Sequence, residues 1–187
     1  LYIGIMTVIN SVREIISLPI NGLTNSAQPV MGYNYGAGEY KRVKKAVIFM
    51  SLVSVIYTTI MWSLVHGFPE FFIRIFNHEG DLVESGIPAM QIYYFGFFMM
   101  SLQFAGQSVF VALGKSKNAV FFSIFRKVII VIPLILILPN LFHLGVHGIF
   151  MAEPVSNFVG GLACYGTMLK TVWPELNEKK HNFKQSL

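Results

Sequence analysis

Residues 27–42 read AQPVMGYNYGAGEYKR and lie between two long apolar segments. Glutamine, proline and a tyrosine/glycine cluster interrupt the hydrophobic sequence, and basic residues follow directly. Positive charge in a short loop between apolar segments is typical of the cytoplasmic side of a membrane protein. The stretch therefore predicts a turn between two membrane-spanning helices on that side.

The composition of the chain supports a membrane protein. Of its 187 residues, 54% are hydrophobic and 12% are charged, and the mean hydropathy is +0.59. Soluble domains carry about 25% charged residues, so a lipid bilayer suits this chain better than water does. The net charge of +5 sits in short clusters between apolar runs, which indicates a membrane protein and no nucleic-acid partner. The single cysteine, Cys164, excludes an intrachain disulfide framework and a cysteine zinc site.

We predict an all-α fold, a polytopic membrane helical bundle. A hydrocarbon core about 30 Å thick needs about 20 apolar residues per helix. Five segments of the sequence are long and apolar enough: about 1–33, 46–66, 87–112, 119–141 and 146–170. They form one bundle over residues 1–172, and residues 173–187 follow as a cytoplasmic tail. The amphipathic segment PEFFIRIF (69–76) predicts a short interfacial helix between the second and third spans.

The charges of the loops predict the orientation. The loop over 67–85 is acidic, and residues 139–147 contain no lysine or arginine. Basic residues are concentrated after the first span, after the third span and after the fifth: Lys41, Arg42, Lys44, Lys45; Lys115, Lys117; Lys170, Lys179, Lys180, Lys184. The positive-inside rule then places the N-terminal end of this chain outside and the C-terminus in the cytoplasm. Because the first span starts outside, we expect at least one further span before it in a longer protein.

The first span carries seven polar residues at spacings of 3, 4, 3, 4, 3 and 4 positions, which places them on one helical face. They are Thr7, Asn10, Glu14, Ser17, Asn21, Thr24 and Gln28, with Arg13 at the edge of the face. Polar residues in a membrane helix either form interhelical hydrogen bonds or line a polar pathway, and an unbroken face favours the pathway. Glu14 is either a proton or cation site or the salt-bridge partner of Arg13 or of another arginine.

Fewer polar residues occupy the later spans. Gln103 and Gln107 lie one helical turn apart, and either a pathway role or helix–helix hydrogen bonding explains them. Lys127 is expected to extend along the bilayer to the cytoplasmic interface. We assign a structural role to Arg126, Glu153 and Pro154. Small residues at every fourth position of the fifth span predict close packing against another helix: Ala152, Ser156, Gly160 and Cys164.

Catalytic and metal-binding motifs are missing from the sequence. There is no phosphate-binding glycine loop of the required spacing, no nucleophile elbow and no HExxH, and the five histidines do not form a recognisable metal site. We therefore expect neither an enzyme nor a bound metal or cofactor.

The segment LPINGLTNSAQPVMGYNYGAGEYKRV (18–43) resembles the pattern of the multidrug and toxic compound extrusion (MATE) transporters. The pattern consists of a proline-then-glycine kink, QP, GYNYGAG and a basic residue at the cytoplasmic end of a helix. GQSVFVALGKSKNAV (106–120), FRKVIIVIPLILILP (125–139) and GIFMAEPVSNFVGGL (148–162) follow in the order of the family. Pro29 and the glycines are expected to break the helix and allow a tight turn. The motif residues with an expected structural role are Pro19, Gly22, Pro29, Gly32, Asn34, Gly36 and Gly38.

The resemblance implies that this chain supplies the last five helices of the C-terminal lobe in a twelve-helix, two-lobe transporter. The N-terminal lobe of the same protein and the lipid bilayer would be its partners, in the plasma membrane. The family exports cationic, often aromatic, drug-like molecules in exchange for Na⁺ or H⁺. The residues expected to form the substrate or ion pathway are Asn10, Arg13, Glu14, Ser17, Asn21, Gln28, Gln103 and Gln107.

Two other functions stay open from the sequence. A flippase for lipid-linked oligosaccharides shares the general architecture, and it should have a more basic central cavity. A membrane subunit without transport activity should have isolated and paired polar residues rather than a continuous polar face.

Some members of the MATE family have an acidic residue in the helix that corresponds to the third span. This chain has glutamines and no carboxylate in that span.

Overall fold

The structure, a computed structural model, describes residues 1–140 and 145–185, with side chains as far as residue 177. All regular secondary structure within these ranges is helical, as predicted. The order is α1 (Tyr2–Gly36), α2 (Tyr40–Gly67), α3 (Pro69–Arg74), α4 (Gly80–Tyr94), α5 (Phe97–Ala112), α6 (Ser116–Ile124), a π-helix (Phe125–Val131), α7 (Ile132–Ile137) and α8 (Val146–Gln185).

Three stretches of the described chain are long and apolar enough to cross a membrane: α1, α2 and Ser116–Ile137. Helices α4 and α5 make a fourth if they are counted as one bent span. Helix α8, the predicted fifth span, is not among these candidates, and its first half carries the polar residues Glu153, Ser156 and Asn157. The prediction of five spans therefore stays a prediction, and so does the division into bundle and tail. Helix α8 continues through most of the predicted tail, and the predicted end of the fourth span at 141 lies outside the described residues.

The predicted third span is two helices that meet at an angle of 45°. The joint is Gly96, which has a φ of +82°, a conformation that side chains other than glycine rarely adopt. The ring of Phe158 from α8 packs against the side of Gly96 where a Cβ would lie. Helix–helix packing and backbone conformation therefore both require glycine at this position.

Helix α1 is assigned as one helix through Pro19 and Pro29, so the prediction that Pro29 breaks it is wrong. Membrane helices tolerate proline because neighbouring groups satisfy the backbone that it leaves unbonded. The helix ends instead at Gly36, and the turn follows at Gly38, which has a φ of +76°. Gly32 also lies within the helix, and a Cβ there would be 3.1 Å from the carbonyl oxygen of Ala112, so this glycine permits close packing of α1 on α5.

The buried apolar residues form two clusters. One joins the first half of α1 to α4 and the start of α5, with Ile5, Ile9, Tyr94, Phe97 and Met100 among its members. The other joins the end of α1 to α2, α5 and α8, with Met31, Met50, Phe110, Cys164 and Met168. Many large apolar side chains lie on the outside of the bundle instead, among them Ile3, Phe49 and Leu136. Such a surface is suited to lipid rather than to water.

Candidate functional site: a polar, two-part cavity along helix α1

The polar face of α1 lines two adjoining cavities. The first, which we call the charged cavity, has a volume of about 650 Å³ and is lined by Asn10, Arg13, Glu14, Ser17, Leu18, Asn21, Phe104 and Lys127. The second, the amide cavity, has a volume of about 360 Å³, and its polar lining comprises Asn21, Thr24, Asn25, Gln28, Gln107, Ser108 and Ser123. Asn21 and Phe104 line both cavities. Their sizes are typical of small-molecule sites.

Seven of the eight predicted pathway residues line these cavities, and Gln103 is the exception. Its side chain is buried between α5 and α8, close to Gly160, and its Oε1 has no hydrogen-bond partner among the described residues. Gln107, one turn later, lines the amide cavity and donates a hydrogen bond to Ser123 Oγ (2.8 Å). Thr7, at the start of the polar face, lies outside both cavities, and its hydroxyl donates to the carbonyl of Ile3 (2.9 Å).

A cluster of polar side chains next to the charged cavity connects α1 to α4 and α8. Arg13 Nη1 donates a hydrogen bond to Tyr93 Oη (2.8 Å) and lies 3.3 Å from Glu153 Oε1. The Tyr93 hydroxyl in turn donates to Asn10 Oδ1 (3.1 Å). The predicted alternative of an Arg13–Glu14 salt bridge is therefore wrong, because the carboxylate of α8 takes that place. Glu14 is exposed and has no ion-pair partner in the described part of the chain.

Glu153 also contacts a second arginine. Arg126 Nη2 is paired with Glu153 Oε1 and donates to Asn157 Oδ1 (2.6 Å), and its Nε donates to Ser156 Oγ (3.3 Å). In this geometry one carboxylate bridges two guanidinium groups from different helices. The structural roles assigned to Arg126 and Glu153 stay predictions.

The local sequence explains how Arg126 reaches α8. The small face of α8 is buried as predicted, and a Cβ on Gly160 would lie 3.2 Å from Arg126 Cγ. Pro133 follows the π-helix that carries Arg126, and a proline removes one backbone donor from the helical ladder. Short π-helical stretches occur frequently at functional sites.

Among the charged residues that the structure places in the lining of the two cavities, Lys127 is the one that the sequence interpretation left out of the pathway. Its neighbour Arg126 turns towards α8, whereas Lys127 lines the charged cavity together with Arg13 and Glu14. The adjacent pair of basic residues in an apolar helix was the available signal, because consecutive helical residues point in different directions.

The remaining motif residues lie away from the two cavities. Pro154 lines a third, apolar cavity of about 630 Å³ between α4 and α8, and the described residues of its lining include no lysine, arginine, aspartate or glutamate. Asn34 Nδ2 donates to the carbonyl of Val30 (2.7 Å) near the end of α1. At the same end, Tyr35 donates to Glu175 (2.6 Å), which also pairs with Lys115. Among the described residues, no three His, Cys, Asp or Glu side chains are grouped to hold a metal ion.

Comparison with known proteins gives concordant results. The MatE family model matches residues 2–137. A protein of Shewanella oneidensis named FAD transporter is 21% identical over 160 residues, which are 82% of this chain and 33% of that protein. A ligand-bound structure of the MATE multidrug transporter DinF-BH is 29% identical, with a TM-score of 0.81 over 91% of this chain and 38% of that one.

A crystal structure of MATE in the bent conformation shares the fold with a TM-score of 0.87 at 14% identity, over 95% of this chain and 39% of that one. The chain thus spans about a third of the length of the curated relative and about two fifths of these two structures.

Proposed function

This chain belongs to the MatE family, and on that premise we propose that it takes part in exporting cationic or aromatic small molecules across a membrane in exchange for Na⁺ or H⁺. One observation carries the proposal, the continuous polar lining of α1. From Asn10 to Gln28 the lining rises about 27 Å at 1.5 Å per residue, close to the roughly 30 Å of a hydrocarbon core. Side chains that serve only to join helices would be covered by their partners, whereas these line two adjoining cavities.

The cavity lining favours aromatic molecules. Phe104 lines both cavities, and an aromatic ring there suits stacking with a planar molecule. Glu14 provides a carboxylate for a cationic group or for the coupling ion. The multidrug transporter DinF-BH supports a drug-like substrate, since it is similar to this chain at 29% identity.

A second candidate is export of an anionic aromatic molecule. The relative from Shewanella oneidensis is named FAD transporter, and two of the three charged residues that line the charged cavity, Arg13 and Lys127, are basic. The same basic lining is the feature expected of an oligosaccharide-lipid flippase, but Phe104 between the two cavities favours an aromatic ligand.

We also propose the plasma membrane as the location, with the N-terminal end of α1 outside and the C-terminus in the cytoplasm. The basic loops after α1 and α5 support this orientation. A cysteine introduced at Lys117 should react with a membrane-impermeant thiol reagent only after the cells are opened. Labelling in intact cells would show that the orientation is the opposite of the proposed one.

The test of export uses the full-length protein in sealed vesicles loaded with fluorescent dyes. Na⁺ and H⁺ gradients are imposed separately, and one of them should accelerate loss of dye relative to vesicles without protein. Export that ignores both gradients would contradict the exchange, and the absence of any dye export would contradict the transport function itself.

A further inference from the structure

We propose that the charged cavity binds the anionic group of an aromatic substrate between Arg13 and Lys127, an assignment that rests on the second export function proposed above, that of an anionic aromatic molecule. The ligand class is an aromatic ring system that carries a carboxylate or a phosphate. Phe104 lines the same cavity and is placed to stack on the ring while the two basic side chains hold the anion.

The charges of the described residues around the cavity do not cancel. Arg13, Arg126 and Lys127 are positive, and Glu14 and Glu153 are negative, so the sum is +1. Glu153 contacts both arginines, while Glu14 and Lys127, which are both exposed, have no ion-pair partner within residues 1–140 and 145–177. Charge at membrane depth is costly when nothing compensates it. A bound anion supplies the compensation that the lining lacks.

Arg13 differs from Arg126 in the donors that it has available. The side chain of Arg126 is 6% exposed, and its Nη2 and Nε contact Glu153, Asn157 and Ser156. The side chain of Arg13 is 21% exposed and lines the cavity. Its hydrogen bond and its ion pair with described residues both use Nη1. A guanidinium group has five N–H donors in a planar fork, so Arg13 retains donors for a carboxylate or phosphate, the groups that such a fork binds best.

Two dyes with the same ring system test the assignment. Fluorescein and rhodamine 123 share a xanthene ring, but fluorescein is an anion and rhodamine 123 is a cation. Binding of each dye to the purified full-length protein is measured by fluorescence anisotropy. The native protein should bind fluorescein more tightly than rhodamine 123, and Lys127→Gln should weaken fluorescein binding about tenfold. Rhodamine 123 binding should then change by less than about twofold.

Matched variants separate charge from folding. Lys117→Gln removes one positive charge from an exposed position at the start of α6, outside both cavities, and should change neither affinity. Lys127→Arg keeps the charge within the cavity and should keep most of the affinity for fluorescein.

The outcomes distinguish the anion site from the export function. Tighter binding of rhodamine 123 than of fluorescein in the native protein would overturn the anion site, and so would equal weakening of both dyes by Lys127→Gln. If the protein exports rhodamine 123 from vesicles but neither binds nor exports fluorescein, the export function is supported and the anion site is contradicted. Failure to export either dye would remove the export function instead.

Discussion

Glu153→Gln removes the carboxylate that contacts two arginines, and we expect it to destabilise the folded protein. The substitution keeps the size of the side chain and one acceptor oxygen, but it leaves Arg13 and Arg126 without their shared negative charge. The two positive side chains, 21% and 6% exposed, then repel each other where α1 and the π-helix meet α8.

The size of the effect follows from this burial. Removal of one partner from a buried ion pair costs about 3–5 kcal/mol. The lower end applies here, because the glutamine oxygen can still accept a hydrogen bond and because Arg13 is partly exposed. A loss of about 3 kcal/mol lowers the ratio of folded to unfolded protein roughly 150-fold.

The assay is thermal unfolding of the full-length protein in detergent. The measured quantity is the fraction of protein that stays monodisperse in size-exclusion chromatography after heating to each temperature. Glu14→Gln is the matched control, since it makes the same chemical change beside the same cavity. Glu14 is exposed and has no ion-pair partner among the described residues, so its loss should cost less than about 0.5 kcal/mol. It should nevertheless lower export of a cationic dye. Equal melting temperatures for native protein and Glu153→Gln would refute the bridging role of Glu153.

Two further substitutions test the packing around α5. Gly96→Ala should lower the melting temperature markedly, because alanine is strained at a φ of +82° and its Cβ meets the Phe158 ring. Gly22→Ala is the control and should leave the melting temperature unchanged, because the space around Gly22 is open. Gln103→Met removes a buried oxygen that has no hydrogen-bond partner among the described residues, so the melting temperature should stay the same or rise. A loss of export at unchanged protein abundance would instead support the pathway role predicted for Gln103.

Local periodicity was sufficient to predict which face of α1 lines a cavity. The polar spacing in α1 repeats with the helical period, so the face follows from the sequence before any neighbour is known. The pairing of Arg13 with Glu153 could not be predicted in this way, because it joins residues 140 positions apart and depends on which helices are adjacent. The sequence offered Glu14 as the nearer partner, but both residues line the cavity, and Arg13 pairs with Glu153 of α8 instead.

Proline and glycine positions were harder to interpret. Pro29 lies next to a glycine-rich turn and suggested the end of the helix, but a membrane helix continues through it to Gly36. Gly96 had no motif around it, although its positive φ divides the predicted third span. Both outcomes depend on how neighbouring helices pack, which the sequence of one segment does not contain. The membrane class and the family resemblance, which depend on composition and on a long motif, were confirmed.

The charges of the cavity also limit how export could be coupled to an ion. Exchange requires that substrate and coupling ion bind competitively, each favouring a different state of the transporter. In the proposed exchange, a cationic substrate would compete directly with Na⁺ or H⁺ for Glu14. An anion held by Arg13 and Lys127 does not, because neutralising Glu14 makes the lining more positive and strengthens the hold on the anion. Glu14 therefore suits exchange of cations, and exchange of an anionic substrate requires that the coupling ion bind at another carboxylate of the full-length protein.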